Sequence, residues 1–322
     1  MHIAFVLPGR ADTGGAGLAY AEAMATGLQA MGHTVDVTED DDPAWAPGAL
    51  PVIDGLLLPR LLPRLEMLAQ ADAVALIHHA LARAGRDAGQ RAEVTVTMQT
   101  MLPRLRRVVA TSQPVADRLM QEFGVAAVDV VVPGAHDLPR NMAMGGACCI
   151  LSIGVLTPRK GHDVLLRALA RLQDLDWSLT IAGSAGRDTG HAAYLAALVP
   201  ELGLADRVRV LADPDDATLD ALWQEAHLFA LATRWEGYAT GVAEALRRGI
   251  PVVVTQGGGA LVPMSAGAVC ALEDEPTLSK CLRRVVFDAA LRAEMAEGAW
   301  RAGQGLPSWQ AQATVMDRVL RS

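Results

Sequence analysis

Short apolar runs alternate along this chain with longer segments whose apolar residues recur at helical spacing. His2 to Leu7 reads as a buried strand, the Gly-containing residues 9–17 as a loop, Leu18 to Met31 as a helix stopped by Gly32, and His33 to Val37 as a second strand. The same rhythm continues with strands at Val52–Leu58, Ala73–Ile77, Val108–Ser112 and Val128–Val132, and helices at Leu61–Ala69 and Pro114–Phe123. Val94 to Met101 fits either a strand or a helix. Asp137 to Gly146 has little periodicity and is expected to be a linker. The pattern then restarts. Strands are predicted at Cys149–Gly154, Leu179–Ala182, Val208–Leu211, Leu228–Ala232, Val252–Thr255 and Ala268–Cys270, with helices at His162–Leu172, Ala192–Leu202, Thr218–Ala226 and Glu275–Asp288. Beyond Asp288 the chain reads as mostly helical. Alternation of strand and helix in both halves predicts an α/β protein of two doubly wound domains, with a ligand between them at the C-terminal ends of the strands.

Composition narrows the function. The 322 residues are 51% hydrophobic but only 4% aromatic, so the cores must be built from Ala, Val and Leu. A formal net charge of -8 argues against broad nucleic-acid binding, which needs a basic face. Cys148, Cys149, Cys270 and Cys281 show no metal-ligand spacing, and reduced thiols in a cytoplasmic protein are the expectation. No signal peptide or membrane span is predicted. Leu56 to Leu65 mixes leucines with Arg60 and Arg64, and Arg104, Arg106 and Arg107 follow in the same domain. That raises peripheral contact at the inner membrane surface, against the alternative of a buried helix with two solvated arginines.

The candidate chemistry gathers in two stretches of the second half. Arg234 to Pro251 reads R-W-E-G-Y-A-T-G-V-A-E-A-L-R-R-G-I-P, a loop, a helix and a Gly stop before a strand. Glu236 would lie in the loop and Glu244 in the helix, about two turns apart and able to face one cleft. Two glutamates on a helix are usually solvated charge, but Glu244 stands among Val242, Ala243, Ala245 and Leu246, where a carboxylate needs a partner or a ligand. Residues Gly237, Tyr238, Ala239 and Thr240 precede the helix and can offer backbone N–H groups to an anion. Arg159 and Lys160 follow the first strand of the second domain and make a diphosphate clamp beside a helix start. An Arg-Lys pair elsewhere would be surface charge. In the first domain, Gly14 and Gly15 lie in the first strand-to-helix turn, without a dinucleotide fingerprint, and His78 and His79 end a strand.

These residues resemble a known family. Leu151 to Gly161 is similar to the sugar-nucleotide loop of the retaining family-4 glycosyltransferases, and Arg234–Tyr238 through Glu244–Leu246 to their E-x7-E element. Gly14-Gly15, Met31–Val35, Val132–Gly134 and Trp309 also match. The resemblance implies a GT-B fold, two Rossmann-like domains facing across a cleft: residues 1–140 for the acceptor, 146–302 for the nucleotide sugar, and a helix in 303–322 that crosses back. It implies a UDP- or GDP-sugar as donor substrate, no cofactor and no obligatory metal. Arg159 and Lys160 would hold the diphosphate, Glu236 the donor-sugar hydroxyls and Glu244 the ribose. Gly237 through Thr240 would meet phosphate or sugar, and Gly14-Gly15 would approach the diphosphate. The family's early-strand histidine is missing at Leu58-Pro59, which leaves His78 at the next strand end as the functional candidate. A silent sugar-nucleotide-binding protein and a non-hydrolysing epimerase are the alternatives. The acceptor is not legible in the sequence.

Overall fold

Two parallel six-stranded sheets organise the computed structural model, which describes residues 1–9, 16–40, 44–79, 88–143 and 145–322. They belong to two units, Met1–Gly134 with Pro307–Ser322, and Ala135–Leu306.

In the first unit the strands are β1 (His2–Leu7), β2 (Thr34–Glu39), β3 (Leu50–Asp54), β4 (Val74–Ile77), β5 (Arg107–Ala110) and β6 (Asp129–Val130), in the order β2-β1-β3-β4-β5-β6. Every position of β4 is buried, as expected of an interior strand covered on both faces. Helices α1 (Ala16–Ala30), α4 (Ala88–Met101) and α5 (Gln113–Phe123) connect strands. Ser112 caps α5 by accepting the Val115 N–H, and Gly124 ends it in the left-handed conformation. The last helix, α12 (Trp309–Arg321), returns Ala313, Met316 and Leu320 to the core around Phe5, Met24 and Leu28. It lies so close to α1 that a Cβ on Gly27 would sit 2.4 Å from that of Ala313.

In the second unit the strands are β7 (Cys148–Ile153), β8 (Trp177–Gly183), β9 (Val208–Ala212), β10 (Leu228–Leu231), β11 (Val252–Thr255) and β12 (Gly267–Cys270), in the order β12-β11-β10-β7-β8-β9. The chain winds outward from β7 to β9 on one side, then from β10 to β12 on the other. Helices α6 (His162–Ala170), α7 (Thr189–Glu201), α8 (Asp216–Glu225), α9 (Thr240–Arg247), α10 (Glu275–Phe287) and α11 (Ala289–Gln304) complete it. Asp215, Asp274 and Asp288 each accept an N–H in the first turn of the helix they precede.

Three expectations change. The ambiguous segment 94–101 is helix. The helix expected over Leu61–Ala69 is two short ones, α2 (Leu58–Leu61) and α3 (Leu65–Gln70), joined by a 3-10 turn at Leu62–Arg64. Pro63 cannot donate its backbone nitrogen, and it breaks the run. The supposed linker around Asp137–Gly146 is largely stitched onto the second unit. The Asn141 amide donates to the carbonyls of Trp223, Gln224 and Ala226, and Arg247 donates to the His136 carbonyl and the Asp137 carboxylate. Side chains hold this segment where periodicity shows nothing.

Candidate functional site

The reversal of strand order in the second unit falls between β7 and β10, and open α/β sheets bind ligands at the C-terminal ends of strands beside such a reversal. The loops that leave these two strands carry the candidate residues. After β7, Pro158–Lys160 forms a 3-10 turn that ends at Gly161 with φ +65. That conformation suits glycine, and a Cβ there would also lie 2.0 Å from the Ala232 carbonyl oxygen at the end of β10. The two loops are therefore in backbone contact.

Across that contact, three sequence-predicted residues meet. The Lys160 ammonium lies 2.6 Å from Glu236 Oε1, and Arg159 donates at 3.1 Å to Oε2 and at 2.7 Å to the Trp235 carbonyl. Thr233 donates its hydroxyl to Oε1 at 2.9 Å, and the Glu236 N–H donates to the Gly257 carbonyl. Glu236 is nearly buried, with Lys160 14% and Arg159 27% exposed at the side chain. Burial opposes the charge on Glu236, but Lys160 and then Arg159 outweigh it and hold the carboxyl below its ordinary range. Burial also pulls the Lys160 ammonium down, with Glu236 opposing that shift. Two cations facing one carboxylate leave a net positive charge at the switch point. Beside it, Gly237 and Ala239 are buried, Tyr238 is half-buried and Thr240 exposed, leading into α9. No side chain caps α9, and the Thr240 N–H, expected to be open to a ligand, instead donates to the Tyr238 carbonyl at 2.8 Å.

The family model of glycosyl transferases group 1 matches residues 145–301, which contain this whole cluster. Those residues are similar to a glycosyl transferases group 1 domain, here called the group 1 domain. The D-inositol 3-phosphate glycosyltransferase of Salinispora arenicola is 28% identical over 265 residues, 71% of this chain and 59% of that protein. The chain spans between half and three-fifths of the length of the first such relatives. Among solved structures, the fold is similar to sucrose-phosphate synthase from Thermosynechococcus elongatus (TM-score 0.84, 17% identity, all of this chain and 98% of that one). It is also similar to Anabaena HepE, solved with UDP-glucose (TM-score 0.78, 17% identity, all of both chains). The fold is that of the GT-B glycosyltransferases.

Within the group 1 domain, Glu244 stands apart from the Arg159–Lys160–Glu236 cluster in its contacts. It accepts from Arg248 at 3.2 Å, and Arg248 also reaches Asp220 and lies over the Trp223 ring. Burial raises the Glu244 carboxyl pKa, and Arg248 restrains the rise. Sequence reading missed Thr233, which precedes the motif by three positions and supports Glu236. It also missed His162, fully buried behind the clamp between the Ser152 hydroxyl and the Gly154 carbonyl. Burial lowers the His162 pKa to about 4, helped by the nearby Lys160 charge.

That shift predicts an acid-sensitive group 1 domain. Above pH ~6.5 His162 is neutral in folded and unfolded chains and costs nothing. As pH falls from there to about 4, the unfolded chain takes a proton that the folded one refuses, a loss of about 3 kcal/mol. Urea midpoints across this range should drop less steeply for His162→Gln than for the parent; coincident slopes would rule out His162 as the source of the acid sensitivity.

In the first unit, His78 follows β4 and packs against Tyr20 with its side chain 12% exposed, ring centroids 5.0 Å apart and nearly perpendicular. Its Nε2 lies 3.8 Å from Asp54 Oδ2, too far for a hydrogen bond, and is buried without a partner. Burial, and then His79, lowers its pKa to about 3, while burial raises Asp54 to about 6 against the Leu56 N–H. Asp54 ends β3 and was missed, although an acid closing an apolar strand is a readable signal. Gly14 and Gly15 lie outside the described residues. Leu57, Leu58, Leu61 and Leu65 are buried, so the apolar side of the stretch considered for membrane contact faces the core. Among the described residues, no helix is long and apolar enough to cross a membrane, and no group of three His, Cys, Asp or Glu is placed to hold a metal ion.

Proposed function

We propose that this protein is a retaining hexosyltransferase that moves a hexose from a UDP- or GDP-sugar to an acceptor hydroxyl. The Arg159–Lys160–Glu236 cluster at the switch point of the group 1 domain carries the reading. Arg159 and Lys160 would bind the donor diphosphate and neutralise the charge that grows on it as the glycosidic bond breaks. Gly237 through Ala239 and the first turn of α9 after Thr240, which no side chain caps, would add N–H donors. Glu236 would accept from the sugar hydroxyls, and because it already holds Lys160, it would fix sugar and leaving group relative to each other. Glu244 would meet the ribose. The acceptor attacks from the face the diphosphate leaves, and the departing phosphate takes the acceptor proton. With two side-chain cations on the leaving group, no metal ion is required. The UDP-glucose in the HepE structure supports a nucleotide-sugar donor.

A thermal-shift series with UDP, GDP, ADP and their hexose sugars tests the reading. A nucleoside diphosphate at a hundred times its dissociation constant should stabilise the native state by ~2.7 kcal/mol. That is a rise of roughly 5–10 °C for a unit of this size. EDTA should leave both the shift and the turnover intact. No shift with any nucleotide would sink the proposal.

A further inference from the structure

The clamp has a weak support of its own. Arg159 and Lys160 sit on a single 3-10 turn, Pro158–Lys160, with no side chain capping it. Such turns are short and poorly bonded, yet a diphosphate site demands that both cations hold one geometry. The support comes from Arg234.

The Arg234 guanidinium donates to both Glu273 oxygens, its Nε at 2.6 Å and one terminal nitrogen at 3.2 Å. The terminal nitrogens donate to the two Asp163 oxygens, both at 3.3 Å, and one of them also donates to the Pro158 carbonyl. A guanidinium has five N–H donors, so each is matched and none is left to meet a ligand. The Arg234 backbone N–H adds a bond to the Arg159 carbonyl at 2.8 Å. Two consecutive carbonyls of the clamp turn therefore end on one residue. Asp163 in turn lies in the first turn of α6, directly after the clamp. Glu273 sits between β12 and α10 at φ +55, a conformation that costs a non-glycine residue free energy and needs a partner to hold it.

We infer that Arg234 is a positioning residue for the donor diphosphate: it touches no phosphate itself and locks the Pro158–Lys160 turn onto Asp163 and Glu273. The inference rests on the proposed donor site. Two carboxylates surround Arg234, so the trio has a net negative charge and does not attract the donor. Its effect is confined to where Arg159 and Lys160 point. Lysine cannot replace it, because a compact ammonium with three donors cannot span acceptors on three separate segments.

The test is calorimetric titration with UDP and with UMP (GDP and GMP if guanine binds tighter) on the parent, Arg234→Ala, Arg234→Lys and Lys160→Ala. Arg234→Ala and Arg234→Lys should each lower diphosphate affinity about tenfold and leave the monophosphate within about twofold, the effect of removing one charge-assisted hydrogen bond. A merely structural residue would lower both ligands together through the folded fraction, and that result overturns the inference. So does an unchanged UDP affinity in Arg234→Ala while Lys160→Ala loses it. If Lys160→Ala also keeps its UDP affinity, the donor site itself is wrong and the inference falls with it. Should Arg234→Ala fail to fold, Glu273→Gln keeps the guanidinium in place and must show the same selective loss, smaller in size; equal affinity for UDP there overturns the inference too.

Discussion

Lys160→Ala is expected to have the largest effect of any single substitution on nucleotide binding, lowering diphosphate affinity by ~10- to 100-fold. A hydrogen bond to a charged group contributes ~1.5–3 kcal/mol, which converts to that range. Lys160 is well placed for this because its ammonium is largely withdrawn from water and, among the described residues, is paired with the one carboxylate of Glu236. The substitution should also cost stability. Breaking a buried ion pair typically costs about 3–5 kcal/mol when a charge is left uncompensated. Here Arg159 and the Thr233 hydroxyl still reach Glu236, so the lower end is expected. Titration calorimetry with UDP or GDP and a urea unfolding curve give the two numbers. A Lys160→Ala protein that binds the diphosphate as tightly as the parent would remove the clamp from the mechanism.

Glu236 and Glu244 should then give opposite patterns. Glu236→Ala removes a group proposed to hold the transferring sugar, and it also frees two cations for phosphate. Turnover should fall by ~10²–10³-fold, the scale seen when one hydrogen bond to a transition state is removed, with nucleotide affinity unchanged or tighter. Glu244→Ala should weaken free nucleotide by about tenfold with a smaller effect on turnover at saturating donor. Measuring kcat, KM and nucleotide Kd for both separates them. The reverse pattern exchanges the two roles.

The parallel strands were legible because interior strands of a covered sheet are runs of apolar residues, as in Leu228–Leu231 and Val252–Val254. Helix ends were legible where a cap residue or a glycine stood, as at Ser112 and Gly124. The Arg159–Lys160–Glu236 cluster was readable as parts, since each member sits just after a strand. Its assembly was not, because the pairing depends on β10 lying beside β7, and that adjacency joins residues 76 positions apart. The same holds for Arg234, whose partners come from three separate segments, and for Asn141, which looks like linker until its amide finds three carbonyls. His162 escaped notice because burial, which lowers its pKa, leaves no mark on the residue itself.

The return of Trp309–Arg321 to the first unit sets an order of events during synthesis. When residues Met1–Gly134 leave the ribosome, they do not have all of their unit's core. Ala313, Met316 and Leu320, which fill the groove beside Gly27, are made only after the whole of Ala135–Leu306 has been translated. The second unit is continuous in sequence and can close while the chain is still growing. Of the two units, the one begun earlier is thus finished later, and until then α1 exposes the small-residue surface that α12 covers.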